Sequence, residues 1–233
     1  MSQSLDYSSL SVILPTYNES ENLKKLIPEI EQKYPGAEIV VVDDNSPDGT
    51  AEVAEKLGAR VILRKNKEGI GAALKEGYDR ASRDILVSMD ADCSIRVEDI
   101  SLLIEQLSTC DLVVGSKYSK GSKAQGFSSK RQKFLSYWGN KFFIILFRLP
   151  VDDITLNFRA MNQQTWQQLD LQQKSNVFLL EMLLDSKGKN LKIGQIPIFF
   201  SDRFYGKSKT NLKILFPLYF KFLMERLFKG DRK

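Results

Sequence analysis

The sequence predicts an α/β fold, an open and mostly parallel sheet with helices on both faces. Apolar, β-branched runs alternate with helix-periodic segments through the first half of the chain, the pattern of βαβ units. The second run, residues 38–43 (EIVVVD), is almost continuously apolar, as a strand covered on both faces requires. At 233 residues, 42% hydrophobic and 27% charged, the chain can bury one sizeable core.

The elements follow in order. Residues 10–14 (LSVIL) read as a strand ended by Pro15, and 21–33 as a helix opened by Asn18 or Ser20. Strand 38–43 leads into the turn-rich Asp43-Asp44-Asn45-Ser46-Pro47-Asp48-Gly49-Thr50 and a short helix at 51–57. Strand 60–63, helix 71–81, strand 84–89, helix 97–107 and strand 112–115 complete the alternation. Gly69-Ile70-Gly71 lacks the third glycine of a dinucleotide fingerprint and reads as a tight helix-opening turn.

After Gly115 the pattern changes. Residues 119–129 form a polar loop, and 130–147 a helix whose apolar end, 142–147 (FFIILF), serves core or interface. A strand at 158–161, a helix near 178–187 and a strand at 193–200 follow. The segment 212–228 is rich in Leu, Phe and Tyr but too charged to span a bilayer, so an amphipathic helix is expected. The expected division is a domain over 1–211 and a C-terminal amphipathic tail over 212–233.

Composition narrows the chemistry. The sequence has no histidine, which removes Ser-His-Asp triads and imidazole-ligated zinc. Cys93 and Cys110 have neither redox nor zinc spacing and read as reduced thiols. The polar start, residues 1–9, carries no apolar leader core, so a cytosolic protein is expected. A net charge of +5 suits nucleic acid, anionic lipid or phosphorylated small molecules without choosing among them.

Three strand ends carry polar groups. Asp90-Ala91-Asp92 follows strand 84–89, at the carboxyl edge where open α/β sheets bind ligands. Residues i and i+2 of an extended chain project to one side, so Asp90 and Asp92 can converge on a hard cation; the competing reading is that they cap the next helix. Pro15-Thr16-Tyr17-Asn18-Glu19 offers an aromatic face for a base and a carboxylate for its donors, or a plain strand-to-helix turn. Asp43-Asp44 completes the set, and carboxylates gathered at one crevice need cations, hydrogen bonds or a ligand to stabilise them.

In order and spacing, PTYNE (15–19), DDNSPDGT (43–50), MDADCS (89–94), GSKY (115–118) and DRFYGKSK (202–209) resemble glycosyltransferase family 2, and within it the dolichol-phosphate mannose synthases. The resemblance covers about residues 10–210. It implies a GT-A type nucleotide-sugar-binding fold, a nucleotide-diphosphate sugar donor, Mg2+ or Mn2+, and a polyprenyl-phosphate acceptor. Position by position, it places Pro15, Tyr17, Glu19, Val42 and Asp44 around base and ribose. Asp90, Ala91 and Asp92 fall at the diphosphate and metal, with Ser94 completing the metal shell. Arg203 and Lys209 would close over the donor phosphates. Lys117 stands where the family usually has Arg, which loses the planar bidentate fork. Arg131 matches the basic position that meets the acceptor phosphate, with a solvated helix-opening residue as its alternative.

The resemblance thus implies an enzyme, a metal-dependent inverting transferase with Asp92, Lys117 and Arg131 as its working groups. It also implies a protein peripheral at the cytosolic face of a membrane, held by its tail or by a separate membrane-anchoring protein; nucleic acid is not an expected partner. Two departures stand out. Asp153-Ile154-Thr155-Leu156-Asn157-Phe158-Arg159 replaces the small residues of the family's D-x-T-S-G-F-R with Leu156 and Asn157, and Ile95-Arg96-Val97 replaces a His-Pro-rich segment. Two alternatives stay open, a family 2 enzyme using a UDP-sugar or a non-lipid acceptor, and a non-catalytic sugar-nucleotide binder.

Overall fold

The computed structural model describes residues 7–124, 130–201, 203–205 and 212–229. In chain order it contains β1 (Leu10–Thr16), α1 (Ser20–Lys33), β2 (Glu38–Asp43), α2 (Thr50–Lys56), β3 (Arg60–Leu63), α3 (Ile70–Arg80), β4 (Ile85–Met89), α4 (Ile100–Gln106), β5 (Leu112–Ser116), β6 (Lys123–Ala124), α5 (Lys130–Phe147), β7 (Phe158–Asn162), α6 (Gln163–Gln168), α7 (Val177–Gly188), β8 (Ile193–Pro197), β9 (Phe199–Phe200) and α8 (Leu212–Lys229). Seven strands form one sheet in the order β3-β2-β1-β4-β7-β5-β8, and β6 pairs with β9 in a second, two-stranded sheet. All pairs of the large sheet are parallel except those of β7, which runs antiparallel between β4 and β5.

Strand alternation divides the core in two. Val12 and Leu14 of β1 face α1 and α4, joining Leu23, Leu26, Ile30 and Leu103, while Ile13 faces the opposite layer with Leu74 and Tyr78 of α3. Gly77 lets α3 approach β1 this closely, since a Cβ there would stand 2.5 Å from Ile13 Cγ2. The same layer takes in Phe178 and Leu180 of α7 and Tyr219 and Phe222 of α8.

Several elements differ from the sequence reading. Strand β1 runs through Pro15 to Thr16, paired with β2 as Pro15↔Val42. Pairing with β4 ends at Ile13↔Ser88, so no partner on that side requires the N–H that proline lacks. The run 193–200 divides into β8 and β9, in different sheets. Helix α6 (QQTWQQ) was not anticipated because it buries only Thr165 and Trp166 and so has no apolar periodicity.

Helix α1 is not capped by the side chain of Asn18 or Ser20. Its first N–H groups are satisfied from the loop after β2: Glu19 N–H donates to Thr50 Oγ1 at 2.9 Å and Ser20 N–H to Asp48 Oδ2 at 3.2 Å. Helix α8 packs into the core rather than standing apart: Tyr219 lies 5.3 Å from the Phe143 ring and its hydroxyl donates to the Asn176 carbonyl at 3.3 Å. Among the described residues no helix is long and apolar enough to cross a membrane.

Candidate active site

Strands β1, β2, β3 and β4 run parallel, so their carboxyl ends share one edge of the sheet. Asn18, Asn45 and Cys93, just beyond β1, β2 and β4, all adopt left-handed backbone with φ of 56°, 55° and 59°. Asparagine tolerates that region; cysteine does so at a cost in strain, here directly after Asp92. Burial raises the Cys93 thiol to about 11, so it stays protonated.

The loop after β2 fastens the end of β2 to the end of β1. Asp43 is fully buried and accepts from Thr16 Oγ1 at 2.9 Å and the Ser46 N–H at 2.8 Å. Ser46 Oγ in turn accepts the Asn18 N–H at 2.9 Å. Asp43 is therefore a structural fastening between strand ends. Asp44 is buried against Arg64, Nη1 to Oδ1 2.6 Å. Burial raises the Asp44 carboxyl from its ordinary value, with Arg64 opposing. Arg64, which also reaches Glu76 at 3.2 Å, was missed by sequence reasoning; a lone basic residue after a short strand gives no signal.

Of the residues assigned to base and ribose, Pro15, Tyr17 and Glu19 are partly exposed at the end of β1. Lys67 Nζ sits over the Tyr17 ring, 3.5 Å from its centre, a cation–π contact that covers one face of the ring. The side chain of Val42 is fully buried in the core facing α3, which leaves its backbone at the strand end.

Asp90 and Asp92 stand close enough for each carboxylate to feel the other's charge. The Asp90 carboxyl is raised to about 7, first by burial and then by the charge of Asp92, with Asn157, Arg203 and Lys117 opposing. Asp92 is buried; its Oδ1 accepts the Ser94 N–H at 3.0 Å and its Oδ2 lies 3.1 Å from Arg203 Nε. Neither carboxylate caps the 3-10 turn Val97–Asp99, whose N-cap is Arg96. Arg203 Nη1 also lies 4.0 Å from Glu19 Oε1, so the late loop joins the ends of β1 and β4. Hydrogen bonds from Phe204 N–H to the Asp92 carbonyl (3.1 Å) and from Asn22 to the Tyr205 carbonyl (3.3 Å) seat it there.

The donor set can be tested against a hard divalent cation. Among the described residues no group of three or more His, Cys, Asp or Glu converges. Asp92, buried, and Asp90, partly buried, stand at this edge, and Ser94 Oγ is a buried polar atom with no hydrogen-bond partner. All-oxygen donors, few in number and with one unspent hydroxyl, fit Mg2+ or Mn2+, which complete their shells with water and phosphate oxygens.

Lys117, after β5, is buried and paired with Asp153, Nζ to Oδ2 2.8 Å. Burial lowers its ammonium and the charge of Asp153 outweighs that, leaving it above its ordinary value. Arg159 holds the same 153–157 segment from beneath, fully buried and donating to the carbonyls of Ile154 (3.0 Å), Leu156 and Leu179. Burial lowers its guanidinium to about 10. Lys209 and the side chain of Arg131 lie outside the described residues.

An open, mostly parallel sheet whose carboxyl edge carries two adjacent acidic groups, with an arginine from late in the chain drawn onto one of them, is a glycosyltransferase fold of the GT-A type. Residues 11–168 match the model of "Glycosyl transferase family 2", and the chain belongs to that family. It is 33% identical to a polyprenol monophosphomannose synthase of Mycolicibacterium smegmatis over 86% of this chain and 80% of that one. It is 34% identical to an undecaprenyl-phosphate mannosyltransferase of Micrococcus luteus over 85% and 86%. With a dolichol-phosphate mannosyltransferase of Pyrococcus furiosus it shares 36% identity over 89% of this chain and 60% of the relative. In fold it is similar to glucosyl-3-phosphoglycerate synthase from Mycobacterium tuberculosis, with TM-score 0.65 and 20% identity over 89% and 74% of the two chains.

Proposed function

We propose that this chain transfers mannose from GDP-mannose to a polyprenyl phosphate, dolichyl or otherwise, with inversion at the anomeric carbon. The observation that carries the reading is the joining of Asp92 and Glu19 by Arg203, beside Asp90, at the carboxyl edge of the sheet in a chain whose relatives are named as mannosyltransferases of this acceptor class.

Tyr17 and Glu19 bind the base and ribose, with Pro15, Asp44 and the backbone of Val42 behind them. Arg203 and Lys209 hold the diphosphate, beside Ala91. Mg2+ or Mn2+, held by Asp90, Asp92 and Ser94, would supply positive charge for the departing nucleoside diphosphate. A phosphate monoester has its second pKa near ~6, so the acceptor oxygen is ionised at neutral pH and no strong general base is needed. That suits a chain without histidine. Lys117 and Arg131 orient the acceptor phosphate. Its oxygen forms the new bond to the anomeric carbon as the bond to the donor diphosphate breaks, so an α-linked donor gives a β-linked product.

The acceptor's isoprenoid tail stays in the bilayer, at about 0.8 kcal/mol per buried methylene, so the enzyme works at a membrane surface. Helix α5 supports this with an exposed apolar stripe, Phe134, Trp138, Phe142 and Ile145. The test is an assay of the purified chain against GDP- and UDP-sugars with polyprenyl phosphate and either cation. Mannosyl phospholipid formed from GDP-mannose supports the reading; turnover of a UDP-sugar, or of a soluble acceptor alone, overturns it.

A further inference from the structure

Asn157 interrupts the family pattern, in which a small residue stands at its place, and it is not a surface substitution. It is 1% exposed, at the start of β7 and opposite the end of β4, whose last pair with β7 is Met89↔Phe158. Its Nδ2 donates to Asp90 Oδ1 at 3.2 Å. Its Oδ1 accepts from Ser88 Oγ at 2.7 Å, and Ser88 Oγ accepts from the Tyr78 hydroxyl at 2.8 Å.

This chain of donors has one direction. Tyr78 gives its proton to Ser88 and Ser88 gives its single proton to Asn157 Oδ1, which leaves the amide N–H of Asn157 to face Asp90. Tyr78 anchors the far end, fully buried and stacked on Trp166 with ring centroids 4.6 Å apart. A glycine at 157 would leave Ser88 without its acceptor and Asp90 Oδ1 without its donor. The other oxygen, Asp90 Oδ2, accepts no hydrogen bond among the described residues and remains available to a ligand.

We propose that Asn157 is a positioning residue for Asp90, reached through Tyr78 and Ser88, which holds Oδ1 so that Oδ2 is presented to the cation and donor diphosphate. The inference rests on the transferase reading above. It makes the departure from the family's small residue a replacement of unspecified space by a fixed hydrogen bond. Partners of this kind typically change metal affinity or activity by about 10–100-fold when removed.

The experiment measures Mn2+ binding to the full chain by electron paramagnetic resonance in the presence of GDP, without acceptor, alongside thermal unfolding. Asn157→Gly and Asn157→Leu should weaken Mn2+ binding by about tenfold or more, since both remove the amide that holds Oδ1. Ser88→Ala should weaken it less, in the same direction. Excess Mn2+ should restore kcat in Asn157→Gly, a rescue that a general loss of structure would not show. If Asn157→Gly fails to fold, Ser88→Ala and Asn157→Leu decide the matter. Wild-type affinity in all variants that fold, or a loss that excess Mn2+ does not relieve, overturns the role of Asn157 alone. A wild-type chain that binds no Mn2+ with GDP overturns the site reading as well.

Discussion

Lys117 and Asp153 form a buried ion pair with both side chains under 10% exposed, 8% for the lysine and 0% for the aspartate. The sequence reading gave Lys117 a phosphate to hold; the structure gives its charge a partner on the segment that also carries Asn157. Removing one member strands the other, at about 3–5 kcal/mol, whereas replacing both by apolar residues is often tolerated. Asp153→Asn should therefore lower stability by that order in urea unfolding. Lys117→Met with Asp153→Leu should regain most of it. Activity should stay lost in the double variant if Lys117 also orients the acceptor; recovery of turnover with stability would make the lysine purely structural.

Ser94 allows the opposite separation. Its Oγ is buried with no hydrogen-bond partner, so Ser94→Ala removes no bond within the protein and should leave thermal stability unchanged or slightly raised. Mn2+ affinity and turnover should fall together. Unchanged Mn2+ affinity in this variant would remove Ser94 from the ligand set.

Asp92→Asn should abolish turnover while the chain stays folded, because a neutral amide is a poorer ligand for a hard dication and a poorer partner for Arg203. Circular dichroism and a turnover assay read the two halves of that statement. Full activity of the variant in the presence of chelator would end the metal reading.

Asp48 couples the loop after β2 to helix α1 and gives stability a pH dependence. Burial would raise its carboxyl, but hydrogen bonds from Thr50 and the Ser20 N–H outweigh this and hold it below the ordinary value. With its folded pKa depressed, Asp48 contributes stability above the unfolded value of about 3.9, and that contribution is lost as pH falls through the folded value. Asp48→Asn should cost at most about 1 kcal/mol at pH 7, given its exposure, and should flatten the acid limb of a stability-pH curve. An acid limb identical to wild type would assign that limb to other carboxylates, such as Glu38, also held below its ordinary value.

The alternation of strands and helices was legible because β1, β2, β4 and β5 are buried on both faces and leave nearly continuous apolar runs. The acidic strand ends were legible for the same reason, as they stand where those runs stop. Side-chain bonds across the sheet edge were not. DDNSPDGT announced itself as a motif, yet nothing local shows that Asp48 and Thr50 satisfy a helix thirty residues earlier. Asn157 was visible as a departure, but its meaning depends on β7 inserting antiparallel beside β4, a non-local pairing that spacing does not encode.

The membrane prediction shifts from α8 to α5 for a packing reason. On α8, Tyr219, Phe222 and Leu223 are buried, so truncation after Asn211 would strip apolar groups from the core beside α7. Such a truncation should lower the melting temperature, since removing one buried aromatic commonly costs about 3–5 kcal/mol. On α5, by contrast, Ile144 faces the core while Phe134 (62% exposed), Trp138 (55%), Phe142 (54%) and Ile145 (71%) follow one another at steps of four, four and three residues along one face. Each would gain about 1.5–3 kcal/mol if fully transferred out of water, enough for several to hold a protein at a bilayer. Trp138→Glu with Ile145→Glu should therefore weaken binding to anionic liposomes by at least about tenfold, with GDP binding retained. The measurement is co-sedimentation with vesicles at two salt concentrations. If the double variant sediments like wild type, the stripe on α5 is not the membrane contact.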